Sequence, residues 1–178
     1  YYRAKKAEII KNEIEKTGTE KITEEGGEIS YRITYRGEIS EYKGRAKVKI
    51  TDKLPYEIDR EKSSLMEGVY NEAEKTITWE EDIGEIDTYT NGNRKIEITK
   101  EITVVYKEID YSKKEIVNKV EGEIELEATG QKEKTEEVEK ITQTEFKKEI
   151  TVEKEWDHTN NIYKIPREIE VQIKNGEE

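Results

Sequence analysis

The segment from Ala46 to Pro55, AKVKITDKLP, limits most strongly what this chain can fold into. Apolar and polar residues alternate along it, which is typical of a strand with one face in a core and the other in water. The apolar face also carries Asp52. A carboxylate in a core is costly unless it is paired or keeps its proton. The pattern therefore predicts one of two arrangements. Either the strand ends early and Asp52 reaches solvent, or Asp52 is buried beside a group that interacts with it.

Two further strand-like segments repeat this anomaly. In residues 9–18, IIKNEIEKTG, Lys16 shares the parity of two isoleucines, and in residues 114–128, KEIVNKVEGEIELEA, Asn118 shares the parity of the apolar side chains. A lysine, an acid and an asparagine are the groups that a Lys–Asn isopeptide bond requires. The amine attacks the carboxamide, and a neighbouring protonated acid polarises the carbonyl and moves protons as ammonia leaves. The three parities are consistent with such a bond.

Each of these residues also has an ordinary structural explanation. Asp52 can cap the turn that follows its strand, Lys16 can extend along the surface with its amine in water, and Asn118 can be satisfied by backbone groups. Lys100 is a rival amine donor because it shares the parity of the isoleucines around it. A bulge near Thr99 would turn Lys100 outward.

The composition favours a thin core built from strands. Charged residues make up 42% of the chain and hydrophobic residues only 31%, a balance that is typical of disorder unless the apolar residues are ordered by pattern. Here they are mostly Ile, Val and Tyr in regular alternation. The pattern predicts strands at roughly 9–17, 28–36, 45–54, 75–80, 95–107 and 113–128. Several short strands with turn signals and no convincing helix predict an all-β, antiparallel β-sandwich.

The domain organisation follows from a charged stretch near the end of the chain. Residues 131–140, QKEKTEEVEK, form either a linker or an exposed edge, and we favour a linker at about 131–147. It would separate a first domain, residues 1–145, from a second unit, residues 148–178, in which alternation restarts with Lys154 on the apolar parity. About 30 residues are too few to close a core, so a partial second β domain is predicted.

Charge and composition also exclude several classes of function. The net charge is −11 and lysine alternates with glutamate, which argues against nucleic-acid binding. There is no apolar run of spanning length and no signal peptide, so we expect no membrane contact by this stretch, and a start at Tyr1 suggests an internal fragment. The absence of cysteine excludes disulfides and thiolate metal sites.

We expect no cofactor and no metal. His158 is the single histidine and lies in a polar run, so it is predicted to be a loop residue. The acidic stretch from Glu80 to Asp87 lacks the ligand spacing of a calcium loop and is predicted to be a solvated turn. No phosphate-binding loop or nucleophile elbow occurs, so a turnover enzyme is not expected.

The runs ISYRITY, AKVKITDKLP, YNEAEKTITWEE, ITVVY and IVNKVEGEI, within about residues 9–128, resemble the A-type collagen-adhesin (Cna) domains and related isopeptide-forming domains of Gram-positive pilins and adhesins. The resemblance implies immunoglobulin-like sandwiches in series on an extracellular, cell-wall-anchored protein. It also implies that Lys16 is the amine donor, Asn118 the amide acceptor and Asp52 the catalytic acid.

The segment ITVEKEWDHTNNIYKIPREIEVQIKNG, about residues 149–176, looks like the opening of a Cna B-type domain. The lysine two residues before a tryptophan, the proline and the final Asn-Gly carry this resemblance, which implies that Lys154 is the donor of a second bond. Ile165 stands where such domains often have arginine. The acid and the acceptor of that bond are absent because the sequence stops.

Two functions are compatible with these features. The first is a structural stalk or shaft module of a bacterial surface adhesin or pilin, self-crosslinked and without turnover, whose partners are neighbouring domains of the same protein. The alternative is an adhesin module that recognises a host matrix protein or a glycan through loops at one end of the sandwich.

Overall fold

The computed structural model of the chain describes residues 6–145, which fall in the compact unit Tyr1–Lys147. The predicted second β domain, including Lys154 and His158, lies outside the described residues, and its assignment stays a prediction.

The described residues form ten strands and one short helix. The elements are β1 (Glu8–Gly18), β2 (Lys21–Ile22), β3 (Ile29–Ser40), β4 (Lys43–Lys53), β5 (Val69–Asn71), β6 (Thr76–Asp87), α1 (Thr88–Asn91), β7 (Arg94–Val104), β8 (Glu115–Leu126), β9 (Gln131–Lys134) and β10 (Val138–Thr144). The helix has four residues, and no helix in this part of the chain is long and apolar enough to cross a membrane.

The strands form two sheets that pack face to face. The small sheet has the order β1-β3-β7, and the large sheet has the order β2-β10-β8-β4-β6-β5, with β9 paired to β8. All the pairs are antiparallel except β2 with β10. The predicted all-β, immunoglobulin-like antiparallel sandwich is thus confirmed for this part of the chain.

The core lies between the inner faces of the two sheets. Along β3 and β4, alternate residues are buried and the residues between them face solvent, as the two-residue period of the sequence predicts. A single cluster unites both sheets, so each sheet buries its apolar face against the other. Its largest fully buried side chains include Tyr31, Tyr35, Ile29, Ile33, Ile50 and Leu126.

The outer face of the large sheet is striped by charge. Strand β4 presents basic side chains, whereas its neighbours β6 and β8 present mostly acidic ones, and β9 is basic again. Ion pairs join the stripes, among them Lys47 with Glu125 at 3.2 Å and Arg45 with Asp82 at 2.7 Å. Opposite charges on neighbouring strands stabilise their pairing, although each exposed pair contributes little.

Two charged segments are strands, contrary to the sequence predictions. The predicted linker at about 131–147 contains β9 and β10, both hydrogen-bonded to β8, and Thr142 on β10 is fully buried. The acidic stretch Glu80–Asp87, predicted to be a turn, is the second half of β6 and pairs with β4. Ladder hydrogen bonds use backbone groups, so β6 and β10, with partners on both sides, and β9, with one partner, can form with few apolar side chains.

The two ends of the described chain lie at opposite ends of the sandwich. Near the start, the backbone N–H of Ala7 donates to Gln131 Oε1 at 3.0 Å, beside β9 and the end of β8. Near the other end, the backbone N–H of Glu145 donates to the carbonyl oxygen of Ile22, next to the start of β8. Strands β1 and β10 therefore run in the same direction, and β8 runs against both.

Candidate functional site

Three polar side chains meet in the apolar core. Lys16 projects from β1 of the small sheet, whereas Asp52 and Asn118 project from the adjacent strands β4 and β8 of the large sheet. All three residues are buried, and the side chains of Lys16 and Asp52 have no exposed surface. The structure thus brings together the three residues that the sequence identified, because each stands on the inward register of its strand.

Asp52 contacts both of the other residues through different oxygen atoms. Lys16 Nζ donates to Asp52 Oδ1 at 2.6 Å, and Asn118 Nδ2 donates to Asp52 Oδ2 at 3.4 Å. The carboxyl group therefore lies between the amine and the nitrogen of the carboxamide. A group in this position can carry a proton from one nitrogen to the other.

Burial shifts both ionisable groups toward their neutral forms. Desolvation lowers the pKa of Lys16 from 10.5 to about 8, against the opposing attraction of Asp52. Desolvation also raises the pKa of Asp52, opposed by the charge and hydrogen bond of Lys16. Since a buried ion pair loses much of its hydration, burial brings the neutral amine and the protonated acid closer in free energy to the ion pair than they would be in water.

The carboxamide oxygen of Asn118 lacks a hydrogen bond. Asn118 is fully buried, and among the described residues its Oδ1 is the one buried side-chain nitrogen or oxygen without a partner. Leaving a buried acceptor unpaired costs about 1–3 kcal/mol. An acceptor of this kind in a folded core needs an explanation, and a catalytic role is one that fits its contact with Asp52 through the same side chain.

Two tyrosines complete the cluster, and the sequence reasoning missed their part in it. Lys16 Nζ lies 4.4 Å from the centre of the Tyr31 ring, and the Tyr31 hydroxyl lies 3.2 Å from the Tyr106 hydroxyl. Both tyrosines are buried. The alternation of residues placed Tyr31 on the inner face of its strand. A buried tyrosine hydroxyl needs a polar partner, and this requirement could have indicated that Tyr31 lies near other polar groups in the core.

Lys100, the rival donor, lies elsewhere. No bulge interrupts the pairing of β3 and β7 around Thr99, so Lys100 stays on the inner side of its strand. Its amine is held by Glu81 on β6, near the edge of the sandwich. The structure therefore brings Lys16, and not Lys100, to Asp52.

The arrangement suits acyl transfer between side chains. It contains a potential amine nucleophile, a carboxamide and an acid that contacts both, in a place from which bulk water is excluded. No group of three or more potential metal ligands occurs among residues 6–145.

The sequence matches no protein-family model and no curated protein. Among solved structures, the fold is similar to the full-length major pilin SpaD from Corynebacterium diphtheriae, with 14% identity and a TM-score of 0.48 over 74% of this chain and 34% of that one. It is also similar to domains D2 and D3 of the same pilin, with 17% identity and a TM-score of 0.40 over 72% of this chain and 51% of that one. A third similar structure is AvmM, which catalyses macrocyclization in alchivemycin A biosynthesis, with 10% identity and a TM-score of 0.36 over 80% of this chain and 92% of that one. The matched part of this chain spans about a third of the full-length pilin chain and about half of the chain of domains D2 and D3. At these scores the likeness carries no conclusion about function.

Proposed function

We propose that residues 6–145 form a self-crosslinking structural module, a stalk or shaft domain of a Gram-positive cell-surface protein. The observation that carries the proposal is the position of Asp52, whose two carboxyl oxygens contact Lys16 Nζ and Asn118 Nδ2 in a buried site. The product would be an isopeptide bond between Lys16 and Asn118, made once per chain.

The chemistry needs no group beyond these three residues. Proton transfer to Asp52 leaves Lys16 as a neutral amine, which attacks Cγ of Asn118. The Nζ–Cγ bond forms, the Cγ–Nδ2 bond breaks, and a second proton from Nζ, relayed by Asp52, leaves with Nδ2 as ammonia. The first proton, which made the amine neutral, stays on the Asp52 carboxyl group. Burial supports this role because it favours the uncharged amine and the protonated acid.

The bond would matter for stability because it joins the two sheets. It would close a loop of about one hundred residues, for which the chain-entropy model of crosslinks gives about 4–5 kcal/mol. A domain of this size is typically stable by only about 5–15 kcal/mol, and the core here is thin. The isopeptide bond would therefore contribute a large share of the free energy of unfolding of such a domain.

Two further observations support a shaft rather than a turnover enzyme. The ends of the described chain lie at opposite ends of the sandwich, which suits domains joined in series. The candidate reactive groups are buried in the core, where a separate substrate has no access. The resemblance in sequence suggests an extracellular, wall-anchored setting with neighbouring domains as partners. A second bond from Lys154, and the alternative of host-protein or glycan recognition, stay predictions.

Intact mass spectrometry of the purified chain tests the proposal. The wild-type protein should weigh one ammonia less than its sequence, and a protease digest should yield a branched peptide that contains Lys16 and Asn118. Lys100→Arg serves as the matched control and should retain the mass loss. The full sequence mass in folded wild-type protein would refute the proposal, and a branch at Lys100 would reassign the donor.

A further inference from the structure

The pair of tyrosines beside the site has a hydrogen-bond donor to spare. Tyr31 and Tyr106 together carry two hydroxyl protons, and the bond between their oxygen atoms, at 3.2 Å, uses one of them. A phenol donates one hydrogen bond, so the proton of the accepting hydroxyl is left for another acceptor. Both tyrosines are buried, so the acceptor of that proton lies within the core.

The same cluster contains an acceptor without a donor. Asn118 Oδ1 is buried and unpartnered, while the amide nitrogen of the same side chain is bound to Asp52. Lys16 Nζ lies 4.4 Å from the centre of the Tyr31 ring and donates to Asp52, which also accepts from Asn118 Nδ2, so the tyrosine pair and the carboxamide belong to one buried cluster. A spare donor and a spare acceptor thus share this cluster.

The attack of the amine creates negative charge on this oxygen. When Lys16 Nζ adds to Cγ, the carbonyl double bond opens and Oδ1 of Asn118 becomes an oxyanion until ammonia leaves. Asp52 already faces the two nitrogen atoms, so the oxygen needs a different donor. A preorganised donor aimed at a developing oxyanion is among the largest contributions to acyl-transfer rates.

We propose that the hydroxyl pair of Tyr31 and Tyr106 is catalytic in the crosslinking reaction, donating a hydrogen bond to Asn118 Oδ1 as the oxyanion forms. The inference rests on the proposed function and divides the work between two groups. Asp52 moves the proton between the nitrogen atoms, and the tyrosines stabilise the oxygen. The hydroxyl donates a hydrogen bond and keeps its proton, so the balance of the reaction is unaltered. The ring of Tyr31 also lies against the lysine amine, at 4.4 Å from ring centre to Nζ.

The test compares crosslinking rates in the full chain. Wild type, Tyr31→Phe, Tyr106→Phe and the double variant are purified unfolded in denaturant, before the bond can form, and then refolded. Samples are quenched in acid at intervals, and intact mass gives the fraction that has lost ammonia. The matched control is Tyr35→Phe, which removes the hydroxyl of another buried tyrosine on β3, one that donates to Asn12 Oδ1 and not to the cluster. Circular dichroism gives the folded fraction at each time.

The expected pattern follows from donor counting. A single variant keeps one hydroxyl donor but removes the neighbouring hydroxyl that orients it, so the rate should fall by about tenfold, whereas the double variant has no donor and should be slower by about 100- to 1,000-fold. The double variant should still reach the crosslinked mass on long incubation, because Lys16, Asp52 and Asn118 are intact. Tyr35→Phe should crosslink at the wild-type rate.

The outcomes separate the two proposals. If wild type never loses ammonia, the proposed function fails. If wild type crosslinks and the double variant, equally folded, crosslinks as fast as Tyr35→Phe, the tyrosine proposal alone is overturned. Should the double variant fail to fold, the single variants decide, and rates equal to that of Tyr35→Phe overturn the proposal.

Discussion

Lys16 and Asp52 meet at 2.6 Å although they belong to different sheets of the sandwich. Their contact spans the core, and in the part of the chain that the structure describes it is the one ion pair whose two side chains have no exposed surface. An uncompensated charge left by removing one partner of such a pair is costly, at about 3–5 kcal/mol. Substitution of either Lys16 or Asp52 alone is therefore expected to lower the stability of the domain.

Asp52→Asn should abolish crosslinking while preserving the shape of the site. The amide cannot carry a proton from Nζ to Nδ2, so the carboxamide nitrogen has no route to leave as ammonia and the bond does not form. Intact mass should give the full value for the substituted sequence, and Asp52→Ala should behave alike. An ammonia loss in either variant would show that Asp52 is dispensable. Glu81→Gln, which removes the partner of Lys100, is the control and should crosslink normally.

Crosslinking should be fastest around neutral pH and should slow both in acid and above about pH 8, the lowered pKa of Lys16. The reactive form, a neutral amine beside a protonated acid, holds the same number of protons as the ion pair, so its share does not change while the pair keeps one proton. Acid adds a second proton and restores the ammonium, and base removes the proton that the acid must supply. Refolding the chain at a series of pH values and quenching for intact mass gives the profile. A rate that rises steadily through the alkaline range would contradict the shared-proton mechanism.

Without the crosslink, the lowered pKa of Lys16 should make stability depend on pH. The folded pKa is about 8 against 10.5 for an unperturbed lysine, so the unfolded chain binds more protons between those values and stability rises with pH in that window. Urea unfolding of Asn118→Ala should show this gain, on the order of 2 kcal/mol between pH 7 and 10. The double variant Asn118→Ala, Lys16→Met lacks the titrating group and serves as the reference at each pH. Parallel curves for the two proteins would show that Lys16 does not titrate as inferred.

Asn118→Ala should lower the free energy of unfolding by about 4–5 kcal/mol through loss of loop closure alone. Lys16→Arg should give a comparable loss, because arginine keeps the charge but its guanidinium stays protonated and does not supply a neutral nucleophile. Denaturant titration and limited proteolysis of both variants measure the effect. Wild-type stability in both variants would mean that no crosslink contributes to the fold.

Pulling the chain by its two ends should reveal the loop directly. In wild type the residues between Lys16 and Asn118 are shielded from tension by the bond, whereas in Asn118→Ala they extend. The difference in contour length between the two proteins should be about 340 Å, at roughly 3.4 Å for each of about one hundred residues. Single-molecule force spectroscopy reads this difference without reference to the rest of the chain. Equal contour lengths would exclude a covalent tie between these positions.

The sequence predicted five of the six long strands, the first half of the sixth, β6, and the inward register of the three site residues for one physical reason. The side-chain period of a strand is two, so parity decides which face a residue joins, and the apolar residues show which face is buried. Lys16, Asp52 and Asn118 could be identified because each is a polar exception on such a face. Their distances could not be predicted, since these depend on how the two sheets pack.

Strands β9 and β10 escaped prediction because their inner positions carry little apolar signal. Thr135 and Thr142 are buried near or within them, and threonine occurs as readily on a sheet surface. Their partner, β8, supplies the hydrogen bonds that hold them, and pairing across the chain cannot be inferred from local pattern. The role of Tyr106 was hidden for the same reason, because its hydroxyl partner is 75 residues away in sequence.

The charge stripes of the large sheet bear on how copies of this domain behave when crowded. Strand β4 is basic and its neighbours are acidic, so each strand accepts a partner of opposite sign and repels one of its own. If two identical domains paired side by side, a strand that met its own copy would place side chains of the same charge opposite each other. The charge stripes thus disfavour strand exchange between identical domains. Salt screens exposed charges, so this electrostatic repulsion is strongest at low ionic strength.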